Sequence, residues 1–418
     1  MKAGNTGRGK EPADLTETLS GRRLSALLSP VLIAFTVEAD NEFELQMVAA
    51  GHPGAGLSLG VWSNALRFVP ENGVTVRELA AAALTHVEEK VFQLGCLERW
   101  GFITLEASAG DSRPIRRKFH RQANRELRDG WGSGRGIRPE WMVRCTAKGR
   151  AAVVIWPELS ETIEARWKGR FGAETVDRLR KALVSIVGEF KSELPDALPE
   201  SWERTGDYPL KASGEVEALP LHALLSRALV QFTLDFQRSA RLALDLCENF
   251  LRVLGETPIP LGEIARLTGS SRQRMEIGWR IKRLVQLAPD PARKRGKVVS
   301  LNAVGLSAKE EYLRLLREVE HEWVRHFGTK RTEELRSALL AILGAQEDGR
   351  AALSQGLLAP PGVMRSGARA YALGRKNPGT AALQRMRDMV EQTQWFVEDP
   401  LNNLPHYPLW DMNRGFGV

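Results

Sequence analysis

Basic side chains are the residues whose types and spacing best suit a chemical task, the binding of phosphate. Nine of them lie within 107–139, against Asp111, Glu126 and Asp129, and glycines alternate at 130–136. An arginine- and glycine-rich segment suits contact with DNA phosphates or insertion into a narrow minor groove. A solvated charged loop is the alternative, because most charge runs are solvated. The predicted contacts are Arg113, Arg116, Arg117, Lys118, Arg121, Arg135 and Arg138.

A second basic group, within 270–297, adds side chains that can distinguish bases. Arg272 and Gln273 begin a predicted helix that runs to about Leu287, and Arg can bind guanine while Gln can bind adenine. Ser270 and Ser271 precede this helix and can hydrogen-bond phosphate at its N-terminus. The predicted contacts here are Ser270, Ser271, Arg272, Gln273, Arg274, Arg293, Lys294, Arg295 and Lys297.

The corresponding helix in the first half, from Thr85 to about Trp100, suits DNA less well. Lys90 can bind phosphate, but Glu88 and Glu89 would repel it. Adjacent glutamates in a first turn more often stabilise the helix. They favour an alternative role, a docking scaffold for another protein that reads no bases.

No set of residues predicts catalysis, a metal or a cofactor. Gly4–Lys10 matches GxxxxGK, but Glu11 stands where a phosphate loop needs Ser or Thr, and no strand precedes it. HExxH and GxSxG are absent, and the seven histidines are scattered. Cys96, Cys145 and Cys247 form no CxxC pair, which favours a reducing cytosol. We therefore expect no enzyme.

Composition fits a globular intracellular protein. The 418 residues carry a formal net charge of +8 and are 43% hydrophobic. No apolar run approaches the roughly 20 residues of a membrane span. Residues 1–14 lack the apolar core of a signal peptide and are predicted to be a disordered leader.

The chain contains an internal repeat. Four blocks recur in order, and insertions in the first copy shorten the offset from 197 to 185 to 156 residues. The paired blocks are Leu28–Thr36 with Leu225–Thr233, Asn64–Arg67 with Asn249–Arg252, Arg77–Ala80 with Gly262–Ala265, and Arg166–Gly172 with Glu322–Gly328. We name residues 15–194 repeat one, with its long basic segment at 106–140, and residues 221–345 repeat two. Residues 195–220 are a predicted linker, and 346–418 a C-terminal extension.

Each repeat reads as a helix-turn-helix followed by a β-hairpin. In repeat one Thr75 is a predicted N-cap, Phe102–Leu105 and Trp141–Cys145 are predicted strands, and the basic segment lies between them. In repeat two Pro289–Lys297 forms the hairpin tip and Val298–Leu301 the returning strand.

With these elements, and with Thr146-Ala147-Lys148-Gly149-Arg150 after the hairpin, the chain resembles the MarR family of winged-helix regulators, which carry a T-x-K-G-R element there. Repeat two keeps only the glycine, Gly305. The resemblance implies DNA binding by winged helices, usually in homodimers. Two repeats in one chain imply a pseudo-dimer held by flanking helices, predicted at Leu24–Met47, Glu158–Glu193, Leu221–Leu254 and Lys309–Leu343.

The resemblance also implies a pocket for a small aromatic or acidic effector, for which Trp62 and Arg67 are candidates. Core packing is the alternative for Trp62. Acidic residues of the opening helix, such as Glu38 and Asp40, are predicted to form a solvated or inter-repeat face. The aromatic, proline-rich end of the chain, from Asp399 to Trp410, is predicted to dock on a surface rather than to be disordered. It is expected either to cover a pocket or to join two chains in a further self-association.

Together these observations predict a mainly α fold with small β-hairpin wings, arranged as two tandem winged helix-turn-helix domains. The predicted function is sequence-specific binding of double-stranded DNA by a cytoplasmic bacterial transcription regulator.

Overall fold

The first series of elements alternates helices with a small sheet. The computed structural model describes residues 21–53, 57–84, 94–95, 97–98, 100–107, 137–198, 215–268, 283–293, 296–344, 349–358 and 396–408. In chain order the first elements are α1 (Leu24–Ala49), α2 (Leu59–Asn64), β1 (Val74–Thr75), α3 (Val76–Ala82), β2 (Ile103–Glu106), β3 (Met142–Cys145), α4 (Ala147–Phe171) and α5 (Ala173–Val187).

The second series repeats this order. It consists of α6 (Leu221–Gln237), α7 (Leu244–Leu246), the π turn Cys247–Leu251, β4 (Ile259–Pro260), α8 (Leu261–Thr268), β5 (Val285–Pro289), β6 (Lys297–Leu301), α9 (Ala303–Phe327) and α10 (Thr329–Gly344). α11 (Gly349–Leu357) and α12 (Pro400–Asn403) follow. The mainly helical fold with small β-sheets is confirmed.

Each series forms one three-stranded antiparallel sheet with the same strand order, β1-β3-β2 and β4-β6-β5. The registers agree as well, because Ile103 pairs with Cys145 and Val285 pairs with Leu301. In β2, Ile103 and Leu105 are buried while the residues that follow them are exposed, as one solvated face requires. Val285–Leu287, which the sequence assigned to a helix, lies in β5. The assignment was wrong because a short apolar run fits either structure.

The helix after each sheet begins with the same cap and the same close approach. Thr146 accepts a hydrogen bond from Gly149 N at 3.1 Å, and Asn302 accepts one from Gly305 N at 3.0 Å. A Cβ on Gly149 would lie 2.0 Å from the Phe102 carbonyl oxygen. The T-x-K-G-R element therefore joins the sheet to α4, and its glycine is required by packing.

Glycine also divides the predicted flanking helices. The helix expected over Glu158–Glu193 is two helices, because Gly172 between α4 and α5 has φ +87°. Gly328 between α9 and α10 has the same φ, so Lys309–Leu343 is divided too. The left-handed φ region is readily open only to glycine, and here it interrupts the helix. The helix expected over Leu221–Leu254 ends at Gln237, followed by α7 and the π turn.

The flanking helices pack into one core with two-fold character. α1 packs against its equivalent α6, and α5 packs against its equivalent α10. α1 also packs against α10, while α6 packs against α5. Reciprocal contacts of this kind are those that a two-fold axis generates. This contact pattern is the one expected of two repeats related by a two-fold rotation, as in the pseudo-dimer that the family resemblance implied.

α1 lies at the centre of this core. It buries 21 of its 26 residues. It is the one described helix that is long and apolar enough to cross a membrane, and its most apolar window is wholly buried within the chain. Such burial is typical of a core helix.

Acidic residues on α1 are buried rather than solvated. Glu38 is 5% exposed, accepts a hydrogen bond from Trp167 Nε1 at 3.0 Å, and binds Arg170 through both carboxylate oxygens at 2.7 and 2.8 Å. In repeat two Asp235 accepts from Trp323 Nε1 at 2.9 Å. The prediction of a solvated face was wrong for Glu38, because a partner 132 residues away along the chain compensates its charge.

Candidate nucleic-acid interface and adjoining pocket

Three of the predicted DNA-binding residues lie within the described residues. Arg138, Arg293 and Lys297 are all exposed. The others lie outside the described residues: Lys90, Arg113, Arg116, Arg117, Lys118, Arg121, Arg135, Ser270, Ser271, Arg272, Gln273, Arg274, Lys294 and Arg295. Both predicted base-reading helices fall mostly in this second set. The geometry that can be described is therefore that of the elements that flank them.

The hairpin of repeat two is closed by a tight turn. Asp290 N donates to the Gly296 carbonyl at 3.0 Å, and the Asp290 carboxylate accepts from Ala292 N at 2.8 Å. A Cβ on Gly296 would lie 2.7 Å from the Asp290 Cβ, so the turn requires glycine there. Arg293 and Lys297 lie on this turn and at the start of β6. Two cations are thus held at the tip of a hairpin, where phosphate can reach them.

In repeat one the first helix of the predicted helix-turn-helix is tied to the sheet. Thr75 caps α3 by accepting from Glu78 N at 3.2 Å, and the Glu78 carboxylate accepts from Thr75 N at 3.0 Å. These two bonds confirm the predicted N-cap as a capping box. Val76 N donates to the Trp141 carbonyl at 3.0 Å. The strand that follows Arg138 therefore sets the position of α3.

A cavity of about 150 Å³ lies where repeat one, the predicted linker and repeat two meet. Asp196 lines it and accepts from Arg67 at 2.7 Å and from Arg227 of α6 at 2.7 Å. Ala82, Ala83 and Leu84, at the end of α3, form part of its wall. The cavity therefore adjoins the segment that leads into the predicted base-reading helix of repeat one.

Two polar atoms of the cavity-lining residues have no hydrogen-bond partner among the described residues. They are the buried Ser63 Oγ and Arg67 Nε. Burying a donor without a partner is unfavourable. Burial alone raises the pKa of the Asp196 carboxyl, but Arg67 and Arg227 outweigh it and hold that pKa below its usual value.

Of the two predicted effector-binding residues, only Arg67 lines the cavity. Trp62 is 8% exposed and stacks on Trp156 at 5.7 Å between ring centroids, and Trp156 stacks on Phe43 at 4.5 Å. This arrangement is aromatic core packing. The carboxylate beside Arg67 belongs to the chain itself, namely to Asp196.

Beside this network lies a buried histidine. His222 of α6 is 2% exposed, and its Nδ1 lies 3.0 Å from Ser160 Oγ of α4. Burial lowers its pKa to about 4, against the opposing charge of Asp196. The ring is therefore neutral at pH 7 and packs as a core side chain beside Phe35, at 6.0 Å between centroids.

The C-terminal segment docks between α1, α6 and the π turn and is buried there. Residues 404–408 are all buried, and Tyr407 is 0% exposed. Its hydroxyl lies 2.9 Å from Thr233 Oγ1 of α6. The predicted tail therefore docks against the helices, and a segment this apolar, with few charges, is stabilised by burial there.

Sequence reasoning did not identify a similar buried segment after repeat one. Leu404-Pro405 follows repeat two as Leu194-Pro195 follows repeat one, and residues 194–198 are buried as well. Asn64 Nδ2 donates to the Leu198 carbonyl at 2.8 Å, and its equivalent Asn249 donates to the Tyr407 carbonyl at 2.9 Å. The repeated Leu-Pro pair was the signal that could have identified both segments.

Metal-ligating side chains do not cluster in groups of three or more within the part of the chain that the structure describes. Comparison with known proteins gave no match to a family model, to a curated protein or to a solved structure.

Proposed function

We propose that this chain binds double-stranded DNA through two winged-helix units of MarR-like type and regulates transcription. The observation that carries the proposal is the two-fold relation of the repeats, each with a helix placed beside a three-stranded sheet. A two-fold arrangement of such units matches the local two-fold symmetry of duplex DNA. The exposed cations Arg293 and Lys297 at one hairpin tip add the charge that phosphate contact requires.

The two-fold rotation between the repeats leads to a specific proposal about the orientation of the two DNA half-sites. Units related by translation would bind direct repeats, whereas units related by a two-fold axis bind inverted half-sites. A single chain would supply both units, so one chain would occupy one operator. Because the two predicted base-reading helices differ in sequence, the two half-sites would differ as well.

The first experiment measures binding of the purified chain to random duplex DNA by fluorescence anisotropy across a salt series. We expect affinity to fall steeply with salt, with a slope of about −0.9 for each phosphate contacted. Replacing Arg293 and Lys297 by alanine should make that slope shallower by about 2. The matched control replaces Arg325, near the C-terminal end of α9, and Lys330, at the start of α10, which are both exposed cations.

Base reading is tested separately. Arg272→Ala with Arg274→Ala should reduce discrimination between selected and scrambled duplexes while largely sparing weak nonspecific binding. Unchanged discrimination would remove this helix as a reader. Absence of any DNA binding at low salt would overturn the proposal and favour the protein-docking scaffold, for which a pull-down would follow.

We also propose that the cavity beside Arg67 holds a small acidic effector. Arg67, Arg227 and the partnerless Ser63 Oγ offer donors to a carboxylate, and the wall includes the end of α3. A ligand there could act by favouring one spacing of the two units. Calorimetric titration with benzoate, a probe of suitable size and charge, should show binding that Arg67→Ala abolishes. Such a regulator would work in the cytoplasm, where its DNA is.

A further inference from the structure

The buried Leu404–Pro408 segment is held by hydrogen bonds to its backbone as well as by burial of its side chains. Asn249 binds the Tyr407 peptide at both ends, donating to its carbonyl at 2.9 Å and accepting from its N–H at 3.2 Å. Ser29 Oγ donates to the Pro405 carbonyl at 2.9 Å. These bonds fix the backbone of the segment, and burial of the Leu404 and Tyr407 side chains adds a requirement for apolar residues at those positions. The one described side-chain hydrogen bond from the segment, between Tyr407 and Thr233, adds a preference for tyrosine.

The groove that holds this segment is formed by both repeats. Ser29 belongs to α1 of repeat one, whereas Thr233 and Asn249 belong to α6 and the π turn of repeat two. The equivalent groove in repeat one likewise crosses the two-fold axis, because Asn64 of α2 and Arg227 of α6 both bind residues 194–198. Both grooves thus hold a segment that begins with Leu-Pro, with Asn64 bound to the fourth residue after the leucine and Asn249 to the third.

The two segments differ in how the chain delivers them. Leu194 comes shortly after α5 ends at Val187, whereas Leu404 comes after α10, α11 and residues 359–395. Docking in the second groove therefore does not depend on a short connection. Six described hydrogen bonds hold the tail to α1, α6, the π turn and the residues before α1, including two from Arg22 to Leu401 and Asn402.

We infer that the groove between α1, α6 and the π turn is a peptide-binding site for a Leu-Pro-X-Tyr-Pro segment, occupied in this chain by its own tail as a detachable clasp. The clasp reaches the predicted DNA-binding part of repeat two, because α12 packs against α8. The peptide site itself does not depend on the proposed function. Any effect of the clasp on DNA binding does depend on the proposed function.

The test uses the full chain with a recognition site for a sequence-specific protease inserted between Gly379 and Thr380. Covalent attachment makes docking intramolecular, so a free peptide cannot compete until the chain is cut. After cleavage the tail fragment should co-elute with the body of the chain. A fluorescent synthetic peptide of residues 396–412 should then exchange into the cleaved protein, which anisotropy detects, and should not bind the intact protein.

Substitutions test whether the exchanged peptide binds in the groove at Asn249. Asn249→Asp removes the donor to the Tyr407 carbonyl and places a carboxylate against that carbonyl, so the affinity for the peptide should fall at least tenfold. Asn64→Asp is the matched control and should leave the affinity for the peptide unchanged. A peptide carrying Tyr407→Phe should bind about fivefold more weakly, the effect of one neutral hydrogen bond. Equal binding to intact and cleaved protein, or insensitivity to Asn249→Asp, would overturn the inference. So would loss of the fragment on cleavage without exchange of peptide.

The DNA readout separates the two proposals. If the clasp positions α8, Asn249→Asp should change duplex affinity in the cleaved protein and added peptide at saturation should not restore it fully. Peptide exchange in a protein that binds no DNA would leave the groove established and the proposed function refuted. DNA binding without peptide exchange would support the proposed function and refute the peptide-binding groove.

Discussion

Repeat one and repeat two place an acidic residue at the same position of their opening helix and use it differently. Glu38 and Asp235 each accept a hydrogen bond from an equivalent tryptophan. Glu38 also forms a buried ion pair with Arg170, whose equivalent in repeat two is His326. Asp235 instead pairs with Arg238, whose side chain is 69% exposed. The hydrogen bond between the tryptophan and the carboxylate is therefore common to both repeats. The ion pair of that carboxylate is buried in repeat one and is made with an exposed arginine in repeat two.

The same contrast appears where the Leu-Pro segments dock. In repeat one the residue after the proline is Asp196, which joins arginines of both repeats. In repeat two it is His406, 4% exposed, whose pKa is held well below its usual value first by burial and then by Arg252 and Arg22. One site holds a cavity and a buried charge, whereas the other holds a neutral ring. The two Leu-Pro segments therefore lie in different electrostatic surroundings, although the elements around them are equivalent.

The largest effect that would sharpen this comparison comes from neutralising the two acids. Glu38→Gln should destabilise the chain by about 3 kcal/mol, because Arg170 is left buried without its counter-charge. Asp235→Asn should cost about 1 kcal/mol, because the ion pair that is lost is with Arg238, whose side chain is 69% exposed and stays solvated, and the asparagine carbonyl can still accept from Trp323. Urea midpoints at pH 7 measure both. Equal losses would break the proposed difference between the repeats.

The second prediction tests what the repeats share. Gly149→Ala and Gly305→Ala should each cost up to about 3 kcal/mol, because the new Cβ would lie 2.0 or 2.1 Å from a backbone oxygen. Gly169→Ala is the control, since that glycine is exposed on α4 and nothing lies within 4 Å of its Cβ position. It should be neutral or slightly stabilising. Tolerance of alanine at either of the first two positions would contradict the shared joint between sheet and helix.

The third prediction concerns pH. His222 titrates at 6.5 when unfolded and about 4 when folded, so the unfolded state binds more protons between these values. Stability should therefore fall as pH drops from about 6.5 towards 4, by about 2 kcal/mol at pH 5. His222→Gln, which keeps a partner for Ser160 but cannot titrate, should remove the part of this fall due to His222 and leave the part due to His406, whose pKa burial also lowers. His326→Gln, at an exposed site, should leave it unchanged; the reverse order of effects would refute the assignment.

The smallest effect is expected at the two helix caps. Thr146→Ala and Asn302→Ala should each cost about 1 kcal/mol, because each leaves the first turn of its helix without a side-chain acceptor. Thermal unfolding followed by circular dichroism would measure both. Serine at either position should recover most of the loss. A loss confined to one repeat would show that the matching caps are not equivalent in energy.

Local features were predictable because their causes are local. The Thr75 cap, the strands on either side of residues 106–140 and the turn closed by Gly296 follow from capping chemistry, alternation and glycine content. The break at Gly172 was missed, since helical periodicity continues across it and only the positive φ ends the helix. At the candidate pocket, Arg67 was identified but its partner Asp196 was not. No pattern links two residues so far apart in the chain.

By itself, the sequence determined that two similar series of elements exist and where their caps and turns lie, because those depend on neighbouring residues. Only the tertiary structure decided which helices of the two repeats pack against each other, that Glu38 is buried and that Leu404–Pro408 is buried between α1, α6 and the π turn. Each of these depends on surfaces brought together from distant parts of the chain. Shape and charge complementarity between such surfaces has no signature in the local pattern of residues.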